Sequence, residues 1–213
     1  SKYLKRSQIY LLIFFSILSG SGAALDLILG SGNLIWPCLS AAFLYLYFFI
    51  IQSDSNLDSL TGIGNRYSFN QFISRISQQN AKQSYSIAML DMNDFKKIND
   101  AFGHLEGDNA LRDMAAIIKT SIRHSGFAAR YGWDEFVLAI KTEQNIEALL
   151  ARLQTAIDAY NNQGLKPYKL KISYGWDVFT ANSGLSVEEF LAHIDSLMYR
   201  HKAEQRRSTD RVS

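Results

Sequence analysis

The chain has 213 residues, a formal net charge of +2 and a hydrophobic content of 47%. This length allows about one domain and a smaller additional segment. The small net charge gives no reason to expect a nucleic-acid partner. Because Cys38 is the single cysteine, a disulfide framework or a cysteine metal site within one chain is excluded.

The N-terminal part of the chain is far more apolar than the rest. Residues 9–29 are almost wholly apolar, and residues 33–51 are apolar and rich in aromatic side chains. Each stretch is close to the ~20 residues that cross a bilayer as a helix, and a glycine-containing turn separates the two. The pattern predicts a transmembrane helical hairpin over residues 1–52.

The distribution of basic residues predicts how this hairpin is oriented. Lys2, Lys5 and Arg6 precede the first span, whereas the turn between the spans has no Lys or Arg. By the positive-inside rule both ends then lie in the cytoplasm, and the lipid bilayer is a partner of the chain. Since the sequence does not begin with Met, we also expect further spans or a sensor domain upstream.

Residues 53–213 alternate helical and strand-like patterns and are expected to form a cytoplasmic domain. Apolar residues at helical spacing predict helices, and short apolar runs bounded by turn signals predict strands. The helices are expected over residues 65–79, 95–102, 108–124, 145–160 and 187–205, and the strands over residues 85–92, 127–131, 136–140 and 168–178. This alternation around a hairpin predicts an α+β sandwich.

Acidic residues stand where the predicted strands end or turn. Asp91 closes the strand that begins at residue 85, and Asp134 and Glu135 lie in the hairpin turn. If the hairpin pairs beside that strand, Asp91 and Asp134 converge. Paired carboxylates at strand ends suit Mg²⁺, which binds a few carboxylates together with substrate phosphates.

Four blocks of sequence extend this pattern. They are DSLTGIGNR from residue 58, DMNDFKKINDAFGHLEGD from residue 91, RYGWDEF from residue 130 and DSLMYRHKAEQR from residue 195. In this order they resemble the GGDEF domain of bacterial diguanylate cyclases, over roughly residues 57–207. The resemblance implies a palm-like fold, in which a mixed, centrally antiparallel sheet is wrapped by helices. It also implies a homodimer that condenses two GTP into cyclic di-GMP and releases two pyrophosphates, located in the bacterial inner membrane.

The resemblance assigns metal and acid–base roles around the hairpin. Asp91 and Asp134 match the family's metal carboxylates for Mg²⁺ or Mn²⁺, and the Met92 carbonyl matches a third oxygen ligand. Glu135 matches the second acidic residue of the hairpin, which binds a second metal or helps to deprotonate the attacking 3′-hydroxyl.

The resemblance also assigns substrate contacts. Asn99 and Asp108 match the pair that reads guanine, although Asp108 is also suited to be only the N-cap of the next helix. The Phe95 backbone and Lys96 match positions near the β and γ phosphates. The resemblance also implies that Lys96 is a catalytic residue. The residues Lys202 and Arg206, one helical turn apart, match phosphate-binding cations.

Some positions depart from the family pattern. Trp133 replaces a hairpin glycine, which lies close to nucleotide and is suited to φ > 0. Asn93 replaces an Asp, and Gln205 replaces a Gly. The inhibitory product site is degenerate, because Gly126 stands where an Asp is expected three residues after Arg123.

Two functions follow from these observations. One is a membrane-bound diguanylate cyclase that dimerises through its membrane helices and its GGDEF domain. The other is a catalytically degenerate domain that acts as a GTP-binding or protein-interaction regulatory module. The filled metal, guanine and phosphate positions favour the first function, and Trp133 favours the second.

Overall fold

The computed structural model describes residues 17, 20, 21, 24, 26–28, 30, 35–53, 56–78, 83–122, 126–180 and 185–210. The chain divides into two compact units, Ser1–Ser55 and Asn56–Ser213. In the N-terminal unit, helix α1 runs over Ile35–Ser53. Within the described part of the chain, no helix combines the length and the hydropathy that membrane crossing requires.

The predicted transmembrane hairpin is therefore not supported by the structure. Most of its first span, residues 9–29, lies outside the described residues. Lys2, Lys5 and Arg6, on which the predicted orientation rests, lie outside them as well. The hairpin stays a prediction from the sequence.

The described part of the C-terminal unit contains a five-stranded mixed sheet. Its strands are β1 (Gly64–Asn65), β2 (Tyr85–Met92), β3 (Gly126–Arg130), β4 (Glu135–Lys141) and β5 (Ile172–Phe179). They lie side by side in the order β1-β3-β4-β2-β5. β1 is parallel to β3, and the other neighbours are antiparallel. The predicted hairpin is thus β3–β4, and it pairs directly beside β2.

Helices cover both faces of this sheet. They are α2 (Arg66–Gln78), α3 (Phe95–Phe102), α4 (His104–Ile122), α5 (Ile146–Asn162) and α6 (Val187–Asp210). In β2, Ala88 and Leu90 pack with α4 and α5, whereas Ile87 and Met89 pack with α2 and α6. A strand covered on both faces has a continuous apolar run. Each fully buried aliphatic side chain contributes about 1.5–3 kcal/mol, so the two layers fix β2 and the Asp91 at its end.

Two predicted boundaries were wrong. α4 begins at His104 rather than at Asp108, because Gly103 adopts φ 84° and lets the chain turn directly from α3 into α4. β5 begins at Ile172 rather than at residue 168. The N–H and the carbonyl of Leu170 each pair with the side-chain amide of Asn161, both at 2.8 Å, so this segment is bonded to a helix instead of to the sheet.

Candidate active site

The ends of β2 and β4 bring the predicted carboxylates together. Asp91 and Glu135 are Cα partners in the antiparallel register of these two strands. The N–H of Met92 donates a hydrogen bond to the carbonyl oxygen of Asp134 at 3.0 Å. One backbone hydrogen bond therefore fixes the hairpin turn against the strand end, and it places the three acidic residues and the Met92 peptide in one region.

Burial and mutual repulsion perturb the hairpin acids. The pKa of Asp134 is raised, first by burial and then by the negative charge of Asp91. The pKa of Glu135 is also raised by burial, and next by the charges of Asp134, Asp195 and Asp91. Arg66 opposes this shift at Glu135. The ionised forms of Asp134 and Glu135 are thus destabilised, and a nearby cation would stabilise them.

The donor set fits a hard divalent ion that keeps open positions. Two carboxylates, those of Asp91 and Asp134, and the carbonyl of Met92 are the oxygen ligands that Mg²⁺ takes in phosphate-handling sites, where waters and substrate complete the shell. Among the described residues, no group of three or more His, Cys, Asp or Glu side chains is arranged so that it could hold a metal ion by itself. An ion beside Asp91 and Asp134 would take its remaining ligands from water and substrate.

A lysine lies against the metal candidates. Nζ of Lys202, on α6, is 2.5 Å from Oδ1 of Asp91, and both side chains are largely buried. Arg206 follows one turn later on the same helix, but its side chain lies outside the described residues. The predicted pair of cations is thus described at Lys202 only.

The guanine candidates lie on two consecutive helices. Asn99, on α3, lies so close to α4 that a Cβ on Gly107 would be 1.9 Å from its Oδ1. A Cβ at residue 107 would therefore displace the Asn99 side chain, and the Asn99 amide lies beside the residue that precedes Asp108. Since α4 begins at His104, Asp108 is inside the helix, and the N-cap role considered from the sequence was wrong. Its carboxylate is half-buried and does not cap the helix.

The phosphate candidates at the start of α3 differ in exposure. Phe95 is half-buried and Lys96 is exposed. The preceding residue, Asp94, adopts φ 59°, a left-handed conformation that turns the chain from β2 into the helix. An ion pair between Asp94 and Lys97, 2.8 Å long, lies at this exposed helix start.

The hairpin turn accepts Trp133 without backbone strain. The described residues with positive φ are Gly30, Gly62, Asp94, Gly103 and Gly164. Trp133 is not among them, so the backbone here does not adopt the left-handed conformation to which the family's glycine is suited. The side chain is 86% exposed. At Gly132 a Cβ would lie 2.4 Å from Oε2 of Glu135, so a side chain there would displace the Glu135 carboxylate.

Arg130 connects the turn to the start of the domain. Its Nη2 donates to the carbonyl of Trp133 at 2.7 Å, and its Nη1 lies 3.4 Å from Oδ1 of Asp58. Asp58 also accepts hydrogen bonds from the N–H and the hydroxyl of Thr61. Neither Arg130 nor Asp58 was predicted to be a functional residue. The available signal was that Asp58 begins the first motif block and Arg130 begins the third.

The degenerate inhibitory site predicted from the sequence is described at one of its two residues. Arg123 lies outside the described residues. Gly126 begins β3, where a Cβ would lie 2.6 Å from Cγ2 of Ile140 and 2.7 Å from the carbonyl oxygen of Ala139. An Asp does not fit at residue 126 unless the neighbouring strand moves.

Comparison with known proteins agrees with this fold. The model of the family described as "Diguanylate cyclase, GGDEF domain" matches residues 55–208. The chain belongs to the GGDEF domain family.

Individual relatives differ in their named activities. The chain is 34% identical over 150 residues to the cyclic di-GMP phosphodiesterase PdeR of Escherichia coli K12, covering 70% of this chain and 22% of that protein. It is 32% identical over 151 residues to the diguanylate cyclase DgcS of Shewanella oneidensis, covering 70% of this chain and 50% of that protein. The chain thus spans half or less of the length of these curated relatives.

A solved structure has the same fold. The GGDEF domain of DgcB from Caulobacter crescentus, in complex with c-di-GMP, superimposes with a TM-score of 0.61 at 24% identity, covering 71% of this chain and 92% of that one. At this identity the likeness supports the mixed-sheet GGDEF fold alone.

Proposed function

We propose that the C-terminal unit is a diguanylate cyclase domain, which condenses two GTP into cyclic di-GMP with Mg²⁺ or Mn²⁺ and releases two pyrophosphates. The observation that carries this proposal is the register of β2 and β4, which pairs Asp91 with Glu135. Together with the hydrogen bond from Met92 to Asp134, it collects three acidic side chains whose mutual repulsion a divalent ion relieves.

In this proposal the protein supplies positioning and charge. Asp91, Asp134 and the Met92 carbonyl hold the ion, which when bound neutralises phosphate charge and acidifies the attacking hydroxyl. Glu135 accepts the proton of the 3′-hydroxyl, and its raised pKa makes it a better base. The new bond joins the 3′-oxygen to the α-phosphorus of the other GTP, and pyrophosphate leaves.

The remaining substrate contacts come from helices α3, α4 and α6. Lys202 and Arg206 balance the charge of the triphosphate, together with Lys96 and the backbone of Phe95. Asn99 and Asp108 accept hydrogen bonds from the N1–H and the 2-amino group of guanine, since a carboxylate is an acceptor for two donors. The closeness of Asn99 to Gly107 supports a shared role for this pair.

The reaction requires a homodimer. The described residues of one chain provide one guanine-reading pair and one pair of metal carboxylates, and therefore a site for one GTP. Two chains must face each other to join two nucleotides. We further propose that residues 9–29 and 33–51 anchor the chain in the bacterial inner membrane with the catalytic unit in the cytoplasm, on the support of their apolar sequence.

A second candidate function has its own observation. The Trp133 side chain is 86% exposed and directly precedes Asp134, so a large ring lies beside the proposed metal site. A regulatory module that binds GTP or a protein without turnover would accommodate such a residue. One similar protein is named as a phosphodiesterase and not as a cyclase. This supports the idea that a domain of this kind also occurs in proteins whose named activity is not cyclisation.

Chromatography of the nucleotides distinguishes the two functions. The purified chain is incubated with GTP and Mg²⁺, beside Asp134→Ala and the control Asp158→Ala, which alters an exposed acid on α5. Cyclic di-GMP from the parent and from Asp158→Ala, but not from Asp134→Ala, supports the cyclase. GTP binding without any product from the parent would instead establish the regulatory module.

A further inference from the structure

Gln205 joins helix α6 to the ends of two strands. Its Oε1 accepts hydrogen bonds from Nδ2 of Asn93 at 2.8 Å and from Oγ of Ser173 at 3.2 Å. Its Nε2 donates to the carbonyl of Ile172 at 3.2 Å. Ser173, which is 0% exposed, has one hydroxyl hydrogen, which it shares between Oε1 of Gln205 and the nearer Oδ1 of Asn93 at 2.9 Å. We name Asn93, Ser173 and Gln205 the amide clamp.

Asn93 and Gln205 are both positions where the chain departs from the family pattern, and their side chains form a matched hydrogen-bond donor and acceptor. Asn93 must be a donor toward Gln205, which an Asp cannot be. With Asp at residue 93, a carboxylate would face Oε1 of Gln205. Turning the Gln205 amide over would place its oxygen against the carbonyl of Ile172, with Nε2 of His201, now 3.4 Å from Nε2 of Gln205, as its one nearby donor. An unpaired acceptor costs up to about 1–3 kcal/mol when it is buried, and this half-buried pair would lose part of that, so the two amides depend on one another.

The clamp lies next to the contact between Lys202 and Asp91. Gln205 is three residues after Lys202, hence on the same side of α6, and Asn93 is two residues after Asp91. Nζ of Lys202 is 2.5 Å from Oδ1 of Asp91. The same turn of α6 is therefore held to the same strand end twice, once by the ion pair and once by the clamp. A lysine side chain loses much rotamer freedom when it is fixed, and a helix turn that is already held in place adds no backbone ordering to that cost.

We propose that Asn93 and Gln205 are positioning residues, which hold the Lys202 turn of α6 at the end of β2 so that the lysine is placed for the triphosphate of GTP. This inference rests on the proposed function. It concerns the phosphates and not the base, because Asn99 and Asp108 lie on α3 and α4, outside the clamp. Loss of the clamp should therefore affect ligands in proportion to their phosphates.

Calorimetric binding of GTP and of guanosine, with Mg²⁺ and the full chain, tests this role. The variants are Asn93→Asp, Gln205→Ala and the double variant, with Gln163→Ala as a control that removes an amide from an exposed position after α5. We expect each clamp variant to bind GTP about tenfold more weakly and guanosine within about twofold of the parent. The double variant should lose no more than Gln205→Ala, because both changes break one unit. The control should match the parent.

The opposite outcomes are equally specific. Equal losses for GTP and guanosine, or losses that add in the double variant, would overturn the positioning role and leave the proposed function standing. If the parent chain bound no GTP, both the positioning role and the proposed function would be overturned. The measurement on the parent is sufficient to detect this outcome. If circular dichroism shows Gln205→Ala to be unfolded, Asn93→Asp decides the question, since it changes a donor to an acceptor without changing volume.

Discussion

The guanidinium of Arg130 donates a hydrogen bond to the carbonyl oxygen of Trp133 at 2.7 Å. The bond is made to the backbone, so it holds the hairpin turn independently of the side chain at residue 133. The indole ring is 86% exposed and its residue is outside the left-handed region. The family's glycine is thus replaced by tryptophan at a position where the backbone requires no glycine.

The first prediction concerns Trp133→Gly. Because the ring is exposed and the turn is held by backbone, the unfolding free energy should change by no more than about 1 kcal/mol, the usual entropic cost of a glycine. If the chain is a cyclase, the variant should form cyclic di-GMP within about tenfold of the parent rate. Denaturant unfolding and chromatography measure the two quantities. A gain well above tenfold would show that Trp133 blocks turnover, and would favour the regulatory module.

The second prediction concerns Lys202→Met, which keeps the length of the side chain and removes its charge. A hydrogen bond to a charged group contributes about 1.5–3 kcal/mol, so the Kd for GTP should rise roughly 10- to 100-fold. Lys97→Met is the matched control, since Lys97 also pairs with an aspartate, Asp94, but is exposed. Titration calorimetry compares the two variants. Equal effects of both would mean that Lys202 has no particular role with the phosphates.

The third prediction concerns Asp108→Asn and base selection. A carboxylate accepts from both N1–H and the 2-amino group of guanine, whereas an amide places a donor against one of them. The preference for GTP over inosine triphosphate, which lacks the 2-amino group, should therefore fall about tenfold. Asp100→Asn, an exposed acid on the same motif block, should keep the parent preference. Competition binding gives the ratio, and an unchanged ratio in Asp108→Asn would refute the guanine role.

Local sequence patterns predicted the individual strands and the hairpin of the C-terminal unit. The continuous apolar run of β2 and the turn signals between β3 and β4 predicted the strands and the hairpin, whereas the pairing of the hairpin beside β2 was only a condition under which Asp91 and Asp134 would converge. The start of α4 was missed because it depends on the conformation of one glycine, Gly103 (φ 84°). The periodicity of apolar residues does not reveal where one helix ends and the next begins when the chain changes direction between them.

The contacts that were not predictable join distant positions. The hydrogen bond from Asn93 to Gln205 spans 112 residues and requires that α6 pack across β5 toward β2. Read singly, each residue was only a departure from a motif. The close approach of Asn99 to Gly107 likewise needs the angle between α3 and α4, although the glycine itself was visible in the sequence.

The last prediction concerns His201 and pH. Nδ1 of His201 accepts a hydrogen bond from the N–H of Tyr174 at 3.1 Å, so protonation would set two donors against each other. Burial lowers the pKa of His201, while the charge of Glu204 opposes this shift. The folded state then binds fewer protons than the unfolded state near the usual histidine pKa of about 6.5. The stability that follows from the shift is present above that pH and is lost as the pH falls through it and below the folded-state pKa.

Replacement by asparagine isolates this contribution, since its side-chain oxygen is an acceptor that does not titrate. The unfolding free energy of the parent should fall more steeply between about pH 7 and pH 5 than that of His201→Asn. Other acids titrate equally in both proteins, so the difference in slope belongs to residue 201. Parallel curves for the parent and His201→Asn would show that the bond to Tyr174 does not depend on the charge of the ring.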